Sequence, residues 1–317
     1  MRIDEWRGQS PTDDVWAIVL AGGDGTRLLP LTRRIAGDDC PKQFCTVSGD
    51  RSLLKQTLAR IAPLAPVERT VVVGNRAHSG YVHRDVPGRL PYKLLQPCNK
   101  GTGAGILWPA HWVSGRDPEA IVAVFPSDHF ILQERAFLAY VQRAVQVVRR
   151  HTEFVVLLGV DPEGPEEAYG WIEPGGPMTA APGCFRVRRF CEKPTAEVAG
   201  GFYRSGFLWN SLVIVARAGI LRRLGRAWLP EVDERFSMLE AFVGTEDERW
   251  AVQQAYALMP ETNFSRDALE RAPESLAAVP VHGVLWSDWG TPERVVRTLR
   301  RINESPRWLD GWQRQLA

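Results

Sequence analysis

Short, mostly apolar runs alternate with segments of helical periodicity through the first half of the chain. The apolar runs cover residues 16–20, 70–75, 93–97, 121–125 and 154–160. Residues 52–61 and 134–150 instead place their apolar side chains at helical spacing. Apolar strands between amphipathic helices are typical of a mostly parallel sheet covered on both faces. We therefore predict an α/β fold with a Rossmann-like, mixed and mostly parallel sheet, whose ligands bind outside the carboxyl ends of the strands.

The second half of the chain has a less regular pattern. Residues 161–183 are rich in proline and glycine, and we interpret them as a functional insertion made of loops. Strand-like runs return at 185–190 and 206–216, and helical segments follow near residue 221, over 236–242 and over 250–258. Residues 292–301 begin with proline and end with basic side chains, which predicts a capped helix.

Composition and charge describe an ordinary globular protein. The chain has 317 residues, 44% of them hydrophobic, and a formal net charge of +2. No basic run suggests a nucleic-acid or membrane partner, and residues 1–14 lack the apolar core of a signal peptide. The five cysteines are odd in number and without Cys-x-x-Cys spacing, so we expect reduced thiols, a cytoplasmic location and no zinc site.

The most informative stretch follows the first apolar run. Residues 20–32 read Leu-Ala-Gly-Gly-Asp-Gly-Thr-Arg-Leu-Leu-Pro-Leu-Thr. The backbone N–H groups of such a glycine turn can converge on anionic oxygens, while Arg27 adds a planar fork and Lys42 a point charge. Leu28 stands where a dinucleotide-binding pattern needs glycine, and no Lys-Ser/Thr follows as in a P-loop. We predict a phosphate-binding loop; a plain strand-to-helix turn is the alternative.

Two aspartates occupy the ends of apolar segments. Asp128 follows the run over 121–125, and Asp288 follows a second apolar stretch far along the chain. Two carboxylates together could hold a magnesium ion, which prefers hard oxygen ligands and retains waters and substrate phosphates. Taken alone, an aspartate after a strand is more often a helix cap or a turn former than a metal ligand.

Residues 20–32, with Pro41-Lys42 beyond them, resemble the signature of the sugar-1-phosphate nucleotidylyltransferases. Residues 125–129, Phe-Pro-Ser-Asp-His, resemble a segment of the mannose-1-phosphate guanylyltransferases. The resemblance runs in order from about residue 15 to 301. It implies the nucleotide-diphospho-sugar transferase fold with a small C-terminal helical part, Mg²⁺ as cofactor, and transfer of a guanylyl group from GTP to mannose 1-phosphate.

The same resemblance assigns residues to roles. Arg27 and Lys42 are the expected catalytic cations, and Asp128 and Asp288 the expected metal ligands. The nucleotide is expected to contact Leu20, Ala21, Gly22, Gly23, Gly25, Thr26, Gln96, Asn99, Gly101 and Thr102. The sugar phosphate is expected to contact Asp128, Gly170, Glu173, Glu192, Lys193 and Asn210. Most tryptophans fall in apolar runs typical of a core, and Trp171 is the one that we interpret as a sugar platform because it neighbours Glu173.

Two departures from the family pattern leave the substrate pair open. Leu212 stands where the family has the glycine of Asn-Ser-Gly, and residues 96–104 differ from the usual guanylyltransferase segment. Uridylyl or thymidylyl transfer to glucose 1-phosphate, or guanylyl transfer to another sugar, therefore remains an alternative. A non-catalytic sugar-nucleotide-binding protein is a more distant one.

The domain organisation follows from the same reasoning. We expect a flexible arm over residues 1–14, a catalytic domain over 15–260, and a segment over 261–317 that completes the metal site and ends in helix. Residues after Arg301 leave no room for an isomerase or acyltransferase domain, so a single activity is expected. The expected partners are GTP and a sugar 1-phosphate, and a homodimer is left open.

Overall fold

A central mixed sheet organises the computed structural model, which describes residues 14–179 and 181–316. Its strands, with a small separate ribbon, are β1 (Val15–Ala21), β2 (Thr70–Asn75), β3 (Tyr92–Gln96), β4 (Ile121–Pro126), β5 (Phe130–Ile131), β6 (Val155–Val160), β7 (Gly170–Pro177), β8 (Phe185–Glu192), β9 (Leu208–Arg217), β10 (Leu276–Val281) and β11 (Trp286–Ser287). Within the described residues the sheet has nine strands in the order β3-β2-β1-β4-β9-β6-β10-β8-β7. The pairing directions make β8 and β9 run against the other seven, which confirms the mostly parallel sheet.

Helices cover both faces of this sheet. They are α1 (Leu29–Ala36), α2 (Leu53–Ile61), α3 (Ser79–Asp85), α4 (Gly101–Ser114), α5 (Glu134–Arg150), α6 (Ala196–Arg204), α7 (Ala218–Trp228), α8 (Pro230–Leu239), α9 (Glu248–Ala257), α10 (Pro292–Arg301) and α11 (Arg307–Leu316). Alternate residues of one strand enter opposite cores: Ala17 and Val19 pack in one, Trp16 and Ile18 in the other. Both cores exclude water, which is why β1 is apolar at every position.

The structure confirms several predicted elements. Helices α5 and α10 have the predicted bounds, and Ser52 caps α2 by accepting a hydrogen bond from the Lys55 amide. Residues 101–105 contain three glycines, yet they form the first turns of α4, which starts at Gly101. Gly101 and Gly103 are needed there because Thr262 lies against them; a Cβ at Gly101 would be 2.2 Å from the Thr262 carbonyl oxygen.

The interpretation of residues 161–183 as loops was wrong for their second half, which forms β7. The strand contains Pro174, Gly175 and Gly176, and its pairing with β8 shifts register on both sides of Pro174. Proline and glycine are tolerated at such irregular positions near the end of a sheet.

The ends of the described chain are tied to the fold. Residues 1–13 of the arm predicted over 1–14 lie outside the described residues. Its last residue, Asp14, is described: it pairs with Arg149 at 3.1 Å, and its carbonyl accepts from the Ile121 amide. In the part of the chain that the structure describes, no helix is long and apolar enough to cross a membrane. All five cysteines are unpaired, in agreement with the expected reduced thiols.

Candidate active site

The glycine loop leaves β1 and is fixed from two sides. The Gln43 amide nitrogen donates to the carbonyls of Ala21 at 2.9 Å and Gly23 at 2.8 Å. The Ser127 hydroxyl donates to the Leu20 carbonyl at 2.7 Å. Because these carbonyls are satisfied within the protein, the loop keeps one shape and its N–H groups stay available. Gln43 belongs to the Pro-Lys-Gln-Phe segment of the sequence, where no role was predicted for it.

Lys42 lies directly beneath the loop. Gly25 has φ +60°, and a Cβ there would lie 3.2 Å from the Lys42 backbone nitrogen, so the turn needs glycine. The Lys42 ammonium is 3.0 Å from an oxygen of Asp128 and also donates to the Asp288 carbonyl. Its side chain is only 6% exposed, so this charge is held in place rather than left in solvent.

A short two-stranded ribbon explains how two distant aspartates meet. Strand β5 pairs antiparallel with β11, with Phe130 opposite Ser287 and Ile131 opposite Trp286. This register brings the residues just before β5 alongside those just after β11. Asp128 and Asp288 therefore reach the same cleft, as predicted. The ribbon itself was not predicted from the sequence.

Asp288 is surrounded by donors. It accepts hydrogen bonds from the Tyr169 hydroxyl at 2.7 Å, the Gly290 amide at 2.9 Å and Arg294 at 3.0 Å. Burial works to raise the pKa of Asp288, but the nearby charges of Lys42 and Arg294 outweigh it and hold the pKa below its usual value. The carboxylate is thus ionised at neutral pH.

Arg294 and Tyr169 are functional residues that the sequence did not reveal. The Arg294 guanidinium stacks 4.7 Å from the Tyr169 ring centroid and pairs with Glu166 at 2.7 Å. The signal for Tyr169 was its place beside Gly170, a predicted sugar contact. Arg294 looked like one of several basic residues on an amphipathic helix, which offers no signal.

The glycine loop, Lys42, Asp128 and Asp288 line a cleft of about 360 Å³. The predicted residues among its lining are Leu20, Gly23, Gly25, Thr26, Arg27, Lys42, Thr102, Asp128 and Asp288. Additional lining comes from Leu28, Gln43, Pro126, Ser127, His129, Leu212 and Gly290. A larger cavity of about 610 Å³ exists elsewhere on the molecule, but it contains none of the converging charges.

His129 is the histidine next to Asp128. Its ring contacts the Trp286 ring with centroids 5.2 Å apart. Burial and the nearby Lys42 charge lower the pKa of His129 to about 4, although the Asp128 carboxylate acts to raise it. The imidazole is therefore neutral near pH 7, and it adds no charge to the cleft.

The carboxylates of Asp128 and Asp288 form a donor set of hard oxygens. Among the described residues, no three His, Cys, Asp or Glu side chains converge as a metal cluster. A set of two carboxylates fits Mg²⁺, which is commonly bound by one or two carboxylates with waters and substrate phosphates completing its shell. Lys42 pairs with Asp128, and Arg294 pairs with Asp288, both at 3.0 Å.

Gln96 lies on the other side of the glycine loop, beneath Gly22. A Cβ at Gly22 would be 2.5 Å from the Gln96 amide nitrogen, so only glycine allows this approach. The Gln96 amide oxygen accepts a hydrogen bond from the Tyr256 hydroxyl at 3.1 Å. Gln96 is brought to the loop as expected, although it does not line the cleft itself.

Asn99, Gly101 and Thr102 make internal contacts. Asn99 donates to Asp24 at 2.9 Å and accepts from the Gly101 amide at 3.0 Å. The Thr102 hydroxyl accepts from the Phe264 amide at 2.9 Å. Gly101 packs against Thr262, which explains why glycine is needed there, and it does not line the cleft. Thr102 does line the cleft.

A second group of predicted residues gathers at the ends of β7, β8 and β9. A Cβ at Gly170 would lie 2.6 Å from a Glu192 carboxylate oxygen and 3.2 Å from the Asn210 Cβ. Burial raises the pKa of Glu192, although Lys193 and Arg266 oppose this. Lys193 is exposed, has φ +52°, and its amide donates to the Tyr169 carbonyl at 3.0 Å.

Two residues predicted to contact the sugar lie elsewhere. Glu173 pairs with Arg188 and Arg189, both at 3.2 Å, and lines the separate 610 Å³ cavity. Trp171 is fully buried, and its indole N–H donates to the Glu166 carbonyl at 2.8 Å. The interpretation of Trp171 as a sugar platform was therefore wrong. Residue 171 lies in strand β7 rather than in a loop, and the strand places its side chain in the core.

Leu212 adopts a conformation that favours glycine. Its φ is +59°, its amide donates to the Asn210 side chain at 3.2 Å, and its side chain is among those lining the cleft. The left-handed conformation costs about 1 kcal/mol for a residue with a side chain. The leucine thus adds an apolar group to a cleft otherwise rich in charge.

Comparisons with known proteins agree with this geometry. A family model described as nucleotidyl transferase matches residues 16–305. The xanthan biosynthesis protein XanB of Xanthomonas campestris pv. campestris (strain B100) is 31% identical over 286 residues, covering 88% of this chain and 58% of that protein. Mannose-1-phosphate guanylyltransferase of Escherichia coli (strain K12) is 29% identical over 286 residues, covering 87% and 58%. This chain thus spans 58% of the length of these two relatives.

Solved structures of related proteins also match this chain. A crystal structure named as mannose-1-phosphate geranyltransferase from Thermus thermophilus matches with a TM-score of 0.77 and 29% identity, over 92% of this chain and 80% of that one. UDP-glucose pyrophosphorylase complexed with UDP-glucose matches with a TM-score of 0.58 at 15% identity, over 90% and 97%, which shows the shared fold alone. With the family match covering residues 16–305, this chain belongs to the nucleotidyl transferase family.

Proposed function

We propose that this chain transfers a guanylyl group from GTP to mannose 1-phosphate, forming GDP-mannose and releasing pyrophosphate. The observation that carries the proposal is the convergence of Lys42, Asp128 and Asp288 beside the glycine loop, in a family whose members move nucleotidyl groups. The choice of guanine and mannose is supported by relatives named mannose-1-phosphate guanylyltransferase at about 30% identity.

The chemistry needs alignment and charge neutralisation more than proton transfer. The phosphate of a sugar 1-phosphate is already an anion, so no general base is required for its attack on the α-phosphorus of the nucleotide. Lys42 is held rigidly by Asp128 and the Asp288 carbonyl and can face the developing charge without reorganising. Arg27 is exposed at the rim of the same cleft and can follow the departing pyrophosphate.

Asp128 and Asp288 are the residues that would hold Mg²⁺. Bound there, the ion would supply positive charge to the phosphate oxygens of the nucleotide and the sugar. Lys42 contacts both aspartates, and Arg294 fixes Asp288, whose pKa is held below its usual value. This role for Arg294 is one of positioning, through Asp288.

The sugar phosphate would bind between the cleft and the ends of β7 to β9. Glu192 and Asn210 lie together beneath Gly170 and can hydrogen-bond sugar hydroxyls. Lys193 follows Glu192 directly and is exposed, so its ammonium is free to meet the incoming phosphate. Glu173 is left out of this proposal because its carboxylate is already paired with two arginines.

Pyrophosphate release tests the proposal directly. The purified chain is assayed with GTP, ATP, UTP and dTTP, each with mannose 1-phosphate and with glucose 1-phosphate, in the presence of magnesium. We expect GTP with mannose 1-phosphate to give the highest kcat/KM, at least about tenfold above any other nucleotide. A higher value for UTP or dTTP would overturn the guanylyl assignment, and no turnover with any pair would overturn the enzymatic one.

A further inference from the structure

Leu212 is a residue of the cleft to which the proposed mechanism gives no task. It is half-buried, lines the cleft and has φ +59°, in the left-handed region that favours glycine. Among the described residues, the others with such a φ that are not glycine are Lys193, Trp289 and Asn303. A strained conformation of this kind persists where the surrounding structure enforces it, and strained residues cluster at ligand sites.

A bulge in β9 enforces the conformation of Leu212. The pairing of β9 with β6 shifts register here, and residues 211–213 of β9 lie opposite the single residue Leu158. The Ser211 hydroxyl donates to the Leu158 carbonyl at 2.7 Å, and the Leu212 amide donates to the side-chain oxygen of Asn210 at 3.2 Å. These contacts satisfy backbone groups that the bulge removes from the ladder, and a bulge redirects the side chains that it carries.

The bulge lies between two groups of site residues. On one side, β9 pairs antiparallel with β4 as far as Ile214, which is opposite Val124. Continuing that register places Leu212 beside the carboxyl end of β4, just before Asp128, and both residues line the cleft. On the other side, Asn210 belongs to the residues gathered at the ends of β7, β8 and β9. Leu212 therefore lies in the wall between the proposed metal site and the proposed site for sugar hydroxyls.

We propose that Leu212 is a specificity-determining residue that packs against the sugar beside its anomeric carbon and excludes sugar 1-phosphates with a group larger than hydroxyl at C2. The inference rests on the proposed function, in which the sugar phosphate lies near Asp128 and the sugar hydroxyls near Asn210. The wall between them then faces the atoms next to C1. Of the two ring atoms bonded to C1, the ring oxygen carries no substituent, so the group on C2 is the one that meets Leu212.

The excluded class is the 2-acetamido sugar 1-phosphates. An acetamido group carries an acetyl group that is slightly smaller than the isobutyl group of leucine, so truncating the leucine frees enough room to hold it. Its N–H and carbonyl would also lose water against a side chain that offers no hydrogen bond, which is costly. Such a steric role accounts for a leucine at a position that glycine would occupy without strain.

The test uses the full chain as wild type, Leu212→Ala and Leu212→Gly, with GTP and either mannose 1-phosphate or N-acetylmannosamine 1-phosphate. These two sugars differ only at C2. We expect wild type to prefer mannose 1-phosphate by at least about tenfold in kcat/KM, and this preference to fall by about threefold in Leu212→Ala and about tenfold in Leu212→Gly. The change should lie mainly in the KM for the acetamido sugar.

Three outcomes would overturn the proposal. They are equal use of both sugars by wild type, an unchanged preference in the leucine variants, and a change in the KM for GTP with no change in sugar preference, which would place Leu212 against the nucleotide. Either leucine variant alone decides the matter if the other does not fold.

Asn303→Gly is the matched control. Asn303 has φ +56°, is exposed and follows α10 outside the cleft, so glycine relieves the same backbone conformation there and should leave the sugar preference unchanged. Leu212→Ala keeps a Cβ and thus the strain, so a graded response in the two leucine variants follows side-chain volume rather than strain.

Failure of the proposed function is a separate result. If glucose 1-phosphate or another nucleotide is the better substrate, the same comparison uses glucose 1-phosphate and N-acetylglucosamine 1-phosphate, which also differ only at C2. If no pair turns over, calorimetry gives the dissociation constants of the four sugar phosphates. The ratio of acetamido to hydroxyl sugar should again fall about tenfold in Leu212→Gly, and an unchanged ratio would contradict the inference.

Discussion

Gln43 ties the glycine loop to the turn that carries Lys42, although its side chain bears no charge. Gln43→Ala removes two hydrogen bonds to loop carbonyls, so we expect a stability loss of about 1–3 kcal/mol and a clear rise in the KM for GTP. Urea denaturation and steady-state kinetics measure the two effects.

Gln56 offers a matched control for that substitution. Its amide nitrogen also donates to two carbonyls, those of Ser48 at 3.0 Å and Arg51 at 2.9 Å, away from the cleft. Gln56→Ala should lower stability and leave the GTP KM unchanged. Equal KM values in the two variants would show that the Gln43 contacts do not shape the nucleotide loop.

The two cleft aspartates should be individually necessary. Asp128→Asn or Asp288→Asn removes one of two carboxylates proposed to hold Mg²⁺, so turnover at saturating magnesium should fall by about a hundredfold or more. Asp39→Asn, which breaks an exposed pair with Arg33, should leave turnover near wild type. Near-normal turnover in either cleft variant would remove that residue from the metal site.

Glu192 should give stability a characteristic pH dependence. Burial raises its pKa, so the folded state favours the protonated form, and the wild type loses this contribution as pH rises from the ordinary glutamate value through the raised pKa. Glu192→Gln cannot ionise, so its stability relative to wild type should increase across that window and stay constant above it. Urea denaturation at several pH values from 4 to 8 measures the difference, and a pH-independent difference would contradict the raised pKa.

At the scale of the element, helix α10 links fold stability to the site. The Thr291 hydroxyl caps α10 by accepting from the Arg294 amide, and Arg294 then holds Asp288. Thr291→Ala should lower stability by about 1 kcal/mol and should also lower kcat, since the helix start positions Arg294.

Ser52→Ala supplies the comparison, because Ser52 caps α2 in the same way with no path to Asp288. It should cost about as much stability while leaving kcat unchanged. If both variants lose the same fraction of kcat, the α10 cap has no special connection to the site.

Elements with strong periodicity were predictable and those with mixed composition were not. Helix α5 shows helical spacing over 17 residues, and β1, β4 and β6 are apolar throughout because both of their faces are buried; β2 is apolar except at its end residues Thr70 and Asn75. Strand β10 was missed because Ala277, Ala278 and Pro280 give it weak strand propensity, and it forms through its neighbours β6 and β8 instead. Helices α1, α3 and α6 were also not predicted.

At the scale of the molecule, the sequence predicted where the site lies but not all of the contacts within it. Local motifs identified Lys42, Asp128 and Asp288 because each lies next to a strand end or a glycine turn. The contacts of Arg294, Tyr169 and Tyr256 depend on segments more than a hundred residues away along the chain, so no local pattern could reveal them. Glu173 and Trp171 were misplaced because β7 was interpreted as a loop, and the alternation of a strand decides which way each side chain points.

The position of β10 in the sheet also governs how this chain can fold as it is synthesised. Strands β1 to β4 lie side by side and are all synthesised by residue 126, whereas β10, which pairs with both β6 and β8, emerges more than 80 residues after β8. Until then both strands present unpaired edges, and open edges are templates for pairing with other chains. The nascent protein is therefore most exposed to aggregation in the interval between the synthesis of residues 192 and 281, after much of its sheet exists and before its centre is closed.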